Sequence, residues 1–129
     1  MNYYFSKIIN KDFIASKALI SDALKSEGFG LVSEIDMQEK FKEKLGVDFK
    51  KYTILGACNP AFAYKAVQAE EKIGTMLPCN IILIDQGGGN TEITAIDPIA
   101  SMMAIENIEL QPLAEDVSNR LKRIIESLK

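Results

Sequence analysis

The 129-residue sequence predicts an α+β fold, in which a single mixed or antiparallel sheet carries helices packed on it. Strand-like and helix-like segments alternate along the first part of the chain, which is typical of helices layered on a sheet. The run Asp85–Asn90 (DQGGGN) then joins two strand-like segments directly. Glycines at such a join indicate a hairpin, and a hairpin requires an antiparallel pair. A purely parallel sheet is therefore excluded.

The composition predicts one globular domain spanning residues 1–129. Apolar residues make up 47% of the chain and charged residues 26%, and the net charge of −3 comes with no basic run. We therefore expect no nucleic-acid partner. The opening MNYYFSKIIN lacks a signal-peptide pattern, and no apolar run approaches the roughly 20 residues of a membrane span. The sequence predicts a cytoplasmic protein with reduced thiols.

Histidine is absent from the sequence, which excludes several classes of site. A Ser-His-Asp or Cys-His nucleophile pair and a histidine-ligated haem are ruled out within the chain. Two cysteines cannot fill a four-thiolate zinc site in one chain. The acidic residues at predicted element ends are explained by caps and turns. The acidic residues explained in this way are Asp36, Asp48, Asp85 and Asp97. We predict no catalytic residue, no single-chain metal site and no cofactor.

The first half of the chain reads as strand, helix, strand, helix. Helix one is predicted over Lys11–Glu27, with Asn10 as its cap and Gly28 just beyond its end. Asp36 is predicted to cap a second helix that runs to about Leu45. The strands are predicted, in order, over Asn2–Ile9, Phe29–Ile35, Tyr52–Cys58, Cys79–Ile84 and Thr91–Asp97.

The second half repeats a cap-then-proline signal at helix starts. Asn59-Pro60 predicts the start of helix three, and Asp97-Pro98 predicts a short helix. Gln111-Pro112 predicts the last helix, whose apolar stripe is regular. The unbroken apolar run of strand four suits a strand covered on both faces. Met102 and Met103 are expected to fill the core.

Cys58 occupies a chemically unusual position, because strand three ends there and helix three begins. The partial positive charge of a helix N-terminus favours a thiolate over a thiol. The alternative is that Cys58 is a small buried residue at a tight turn.

Four motifs in this region resemble the domain-of-unknown-function 302 family. The resemblance covers nearly the whole chain and implies a TATA-binding-protein-like domain: a curved, mainly antiparallel five-stranded sheet with helices on one side. It implies no activity. It marks a candidate surface that includes Pro60 and Pro78. The motifs are Leu55–Pro60, Ala63–Ala66, Ile73-Gly74 and Leu77–Asn80, with further matches at Gly28–Gly30, Glu34–Asp36, Lys44–Asp48 and Asp97-Pro98.

The distance between Cys58 and Cys79 depends on the direction of their strands. Parallel strands would place the thiols at opposite strand ends, about 17–20 Å apart and beyond the ~7 Å Cα limit for a disulfide. Antiparallel strands would place both thiols at one edge of the sheet. The residues leave both alternatives open, and the family resemblance favours the antiparallel one.

Two functions from different classes follow from these patterns. The first is a homodimeric module that binds a small ligand or a partner in a cleft near the Cys58–Tyr64 turn. The alternative is a thiol-redox or soft-metal-handling protein that uses Cys58 and Cys79. In its metal version, a soft metal such as Cu(I) or zinc is shared across a dimer by two thiolates from each chain. The predicted ligand-binding residues are Cys58, Asn59, Tyr64, Lys65, Cys79 and Asn80.

Overall fold

Five strands form one antiparallel sheet in the computed structural model, which describes residues 2–129. The strands are β1 (Tyr4–Ile9), β2 (Gly30–Asp36), β3 (Tyr52–Cys58), β4 (Cys79–Gly87) and β5 (Asn90–Ile96). They lie in the order β1-β5-β4-β3-β2, and every neighbouring pair is antiparallel. The α+β class is confirmed, and of the two sheet types the antiparallel one is found.

The helices and one tight turn connect these strands. They are α1 (Phe13–Ser26), α2 (Met37–Leu45), α3 (Pro60–Ala69), α4 (Pro98–Ser101) and α5 (Leu110–Ser127), with a 3₁₀ turn at Glu71–Met76. No helix within residues 2–129 is long and apolar enough to span a bilayer.

The start of α1 differs from the prediction. Asp12, and not Asn10, is the cap: its Oδ1 accepts a hydrogen bond from the Ala15 amide at 2.8 Å. The carbonyl of Lys11 accepts from Thr91 Oγ1 at 2.9 Å, which ties Lys11 to the sheet and delays the helix. The predicted start at Lys11 was therefore wrong by two residues.

The start of α5 also differs, because the helix begins at Leu110, before Gln111-Pro112. Pro112 occupies the third helical position. The first amides of a helix have no intrahelical partner, so a proline there loses nothing. Asn107 supports the preceding turn, since its Oδ1 accepts from the Glu109 amide at 3.0 Å.

One face of the sheet, which we call the covered face, packs against α1 and α5. Alternate residues of β4 and β5 point into this layer and are buried, while their neighbours are not. Burial of one such side chain contributes roughly 1.5–3 kcal/mol. This layer is the main core of the protein. Its fully buried members include Leu55, Ile81, Leu83 and Ile93 from the strands and Ile20, Leu24 and Leu121 from the helices.

The opposite face, which we call the bare face, is apolar but lacks a helix layer. Ile82 and Ile84 are half-buried there, so the prediction that strand four is covered on both faces was wrong. Ile8 is 58% exposed and Ile35 is 43% exposed. A polar cluster crosses the face, with Ser6 Oγ 2.8 Å from Glu92 Oε2. The bare face comprises Tyr4, Ser6, Ile8, Ile35, Tyr52, Ile54, Ile82, Ile84, Glu92, Thr94 and Ile96.

Residues 30–49, which we call the β2–α2 arm, extend from one edge of the sheet. All seven residues of β2 are exposed, and every residue of α2 is exposed or half-buried. Phe49 stacks edge-on against Phe41 at 5.3 Å between ring centroids and lies 6.4 Å from Tyr52. Since Tyr52 belongs to the bare face, the apolar side chains of the arm continue that face.

Candidate functional site

Cys58 and Cys79 lie beside each other at one end of the sheet. Cys58 is the last residue of β3 and Cys79 the first of β4. Ala57 pairs with Cys79 across the antiparallel ladder, so the two cysteines are diagonal neighbours. Both are free thiols, Cys58 half-buried and Cys79 buried. The antiparallel alternative, which brings the thiols to one edge, is the one observed.

Gly56 and Pro78 build the backbone around this pair. The Pro78 ring lies over Gly56, where an added Cβ would come within 2.6 Å of Pro78 Cγ and would also collide with Ser33 Oγ. A residue without a side chain is therefore required at position 56. This close approach explains why a glycine and a proline flank the cysteines in sequence.

The turn after Cys58 begins α3 as the sequence predicts. Asn59 Oδ1 accepts from the Phe62 amide at 3.4 Å, and Pro60 takes the first helical position. Gly28 has φ +86°, a conformation that favours glycine. A Cβ added at this position would also lie 3.0 Å from the side-chain Nδ2 of Asn59. The cap and the proline together leave few free amides in the first turn of α3 for an anion.

An apolar hollow, which we call the thiol hollow, opens between these residues and the start of α5. It has a volume of about 40 Å³ and is lined by Cys58, Asn59 and Cys79, by the inner side of α3 and by the first turns of α5. A second hollow of about 370 Å³, the outer cleft, adjoins it and reaches the surface. Both are lined by Met102, Leu110 and Ala114. The two hollows therefore adjoin along a shared apolar wall, and the two cysteines line only the thiol hollow.

The electrostatics of the thiol hollow are set by burial. Burial raises the pKa of Cys79 to about 11, and the neighbouring Cys58 adds to the rise. Cys79 is therefore a neutral thiol at neutral pH. Arg120 stacks on Phe62, with its guanidinium 5.0 Å from the ring centroid, and pairs with Asp116 at 3.1 Å. A cation thus lies behind one wall of the hollow.

The family profile "Domain of unknown function DUF302" matches residues 5–128 of this chain. The chain belongs to the DUF302 family. A crystal structure of an uncharacterized conserved DUF302 protein from Bacillus stearothermophilus superposes with a TM-score of 0.90 at 25% sequence identity and covers 100% of both chains. No curated protein matches the sequence. These findings confirm the family and the fold and assign no activity.

The predicted site residues of this DUF302 chain lie in three separate places. Cys58, Asn59 and Cys79 line the thiol hollow. Tyr64, which is 68% exposed, and Lys65 lie on the outer side of α3, away from the lining. Asn80 is exposed and lies against the bare face beside Tyr4 and Ile82.

Sequence reasoning missed the residues that α4 and α5 contribute to the cleft. Met102 was expected in the core and is half-buried in the cleft wall, while Met103 is 66% exposed, so the core-filling prediction was wrong for Met103. The Asp97-Pro98 signal could have located this wall, because Asp97 caps α4 and also accepts from Ser118 Oγ at 2.8 Å. Among residues 2–129, no group of three or more cysteine, aspartate or glutamate side chains is arranged to hold a metal ion.

Proposed function

We propose that this DUF302 chain is a homodimeric module that binds a small apolar ligand in the cleft between α3 and α5. The observation that carries the proposal is that the thiol hollow and the outer cleft adjoin each other and share Met102, Leu110 and Ala114 as wall residues. Ligand pockets commonly have volumes of about 300–1,000 Å³, and the outer cleft alone has about 370 Å³.

The chemistry of the walls selects the ligand. Most lining residues are hydrocarbon, and the polar groups of Asn107, Gln111 and Glu115 stand at the outer end. Asn107 is already engaged, donating to the Ala69 carbonyl at 2.8 Å. The ligand therefore places an apolar body inside and a polar end outside. Tyr64 and Lys65 remain predicted contacts for a ligand that extends along α3.

The bare face supports the homodimer. Strand spacing and rise give it an extent of roughly 450–550 Å², so two copies would bury about 1,000 Å², near the lower limit for a specific interface. The β2–α2 arm adds Phe49, which is 41% exposed and lies 6.4 Å from Tyr52 between ring centroids. A second copy brings the same apolar surface, as in a twofold dimer, where both subunits use one patch.

A thermal-shift experiment on the reduced chain tests ligand binding. Octanol and octanoate serve as probes of an apolar body with and without an anionic end. Binding at tenfold excess over Kd would stabilise the protein by roughly 1.4 kcal/mol, or several degrees in Tm. Ala114→Leu fills the wall shared by the two hollows and should abolish the shift, whereas Ala104→Leu, at an exposed position outside the lining, should retain it. No shift for either probe, or equal shifts in both variants, would contradict the proposal.

A thiol-based function is the second candidate, because both cysteines line the same hollow. Oxidation to a Cys58–Cys79 disulfide releases two protons and transfers two electrons to a disulfide oxidant such as oxidised glutathione, which is reduced to two thiols. Two reduced thiols at this position fit a cytoplasmic protein. Equilibration with glutathione buffers followed by alkylation tests it: a Cys58–Cys79 disulfide in the wild type supports this function, and its absence in the most oxidising buffer contradicts it.

A further inference from the structure

Three sulfur atoms belong to residues that line the thiol hollow. Cys58 comes from the end of β3, Cys79 from the start of β4, and Met102 from the residue that ends α4. Three separate elements thus contribute two cysteines and one methionine to the lining of a single hollow. Thiolate and thioether are soft donors that select soft metal ions such as Cu(I).

The rest of the lining offers little to any other small guest. Its remaining side chains are hydrocarbon apart from Asn59, whose Oδ1 already accepts from the Phe62 amide. A buried water needs two to four polar partners, which this lining does not supply. With about 40 Å³, the hollow is also too small for an organic ligand without the outer cleft. A single ion with soft ligands fits both the size and the chemistry.

We infer that Cys58, Cys79 and Met102 form a binding site for one Cu(I) ion per chain. Zinc does not fit the same donors, because structural zinc sites take four ligands and the sequence contains no histidine. The inference deepens the thiol-based function proposed above and is independent of the apolar ligand. It differs from a metal shared across a dimer, because all three donors come from one chain.

When Cu(I) binds, the site takes up one cation and releases two protons. Cu(I) replaces the protons of both thiols, the Met102 thioether coordinates without losing a proton, and no electron is transferred. The product carries one negative charge. The N-terminus of α3 follows Cys58, and because Asn59 and Pro60 leave few free amides there, it adds only a small partial positive charge beside the complex. Arg120 lies behind Phe62, which itself lines the hollow, and its positive charge is shared with Asp116 and Glu27.

An anaerobic Cu(I) titration of the reduced full chain against bathocuproine disulfonate tests the site. We expect one Cu(I) per chain in the wild type and X-ray absorption that reports sulfur ligands alone. Cys58→Ser and Cys79→Ser should each weaken binding by more than the roughly 10- to 100-fold that loss of an outer hydrogen-bond partner costs at metal sites. Met102→Leu should weaken it by roughly 10-fold or more. Met103→Leu is the matched control, since Met103 is the adjacent residue but is 66% exposed, and should bind like the wild type.

The outcomes separate the metal site from the redox function. A wild type that forms the Cys58–Cys79 disulfide but binds no Cu(I) overturns the metal site and leaves the redox function standing. One Cu(I) per two chains, or equal affinity in Met102→Leu and Met103→Leu, overturns the single-chain three-sulfur site. Circular dichroism of each metal-free variant verifies its fold, and Met102→Leu, which nearly conserves volume, keeps the test valid if a serine variant unfolds.

Discussion

The two faces of the sheet carry similar side chains in different surroundings. Ile81 on the covered face is completely buried beneath helices, whereas Ile82, its neighbour in β4, is half-buried on the bare face. Likewise Leu55 is completely buried and Ile54 is half-buried. An apolar strand therefore indicates that something covers it. It does not indicate whether the covering layer comes from the same chain.

The largest effect should separate the adjacent isoleucines of β4. Ile81→Ala leaves a cavity in the main core and should cost about 2–5 kcal/mol in the free energy of unfolding. Ile82→Ala makes the same change on the bare face and should cost less than about 1 kcal/mol in dilute solution. Urea unfolding at low protein concentration measures both. Equal costs would show that the two faces are covered alike and would remove the contrast.

Gly56 tests the comparison between the two faces in a different way. Its place in β3 puts it on the bare face, but unlike the other bare-face residues it is buried. Gly56→Ala should cost about 1–3 kcal/mol, since the new Cβ would collide with Pro78 and Ser33. Gly30→Ala is the matched control: its Cβ would meet no atom within 4 Å, and we expect a change within about 0.5 kcal/mol. Thermal unfolding compares the two variants. A neutral Gly56→Ala would mean that Pro78 does not lie over this strand.

Cys79 gives a contribution to stability on the covered face that depends on pH. Because its pKa is raised from 9.0 to about 11 in the folded metal-free protein, the unfolded chain loses the proton first as pH rises. The stabilisation is therefore complete below pH 9 and is lost between pH 9 and about 11. The loss amounts to roughly 2–3 kcal/mol.

The difference in unfolding free energy between the wild type and Cys79→Ala isolates this contribution from the lysines and tyrosines that titrate in the same range. This difference should shrink as pH rises through that window. A difference that stays constant between pH 8 and 11 would contradict the burial of this thiol.

The sequence predicted the elements, the hairpin and the local turns, because these depend on signals a few residues apart. Asn59-Pro60 is an example: cap and proline act within one helical turn, and α3 begins where predicted. The antiparallel pairing that brings Cys58 and Cys79 to the same end of the sheet was favoured by the family resemblance, and not by the residues themselves. That pairing depends on how the 3₁₀ turn at Glu71–Met76 returns the chain, which no local pattern specifies.

The wall of the cleft was missed for a similar reason. Met102 follows a four-residue helix, and its position depends on packing against α5, which begins eight residues further along the chain. The bare face was missed because a run of four apolar residues, Ile81–Ile84, is compatible with any covering layer, including one from another copy of the chain.

Sedimentation equilibrium of the wild type and two charge variants tests the central claim that the bare face meets a second copy. Ile82→Glu introduces a charge on the bare face, and Ile14→Glu introduces the same charge on α1, at a side chain that is 80% exposed. We expect the wild type and Ile14→Glu to sediment as dimers and Ile82→Glu as a folded monomer. A monomeric wild type, or a dimer that persists in Ile82→Glu, would contradict the account.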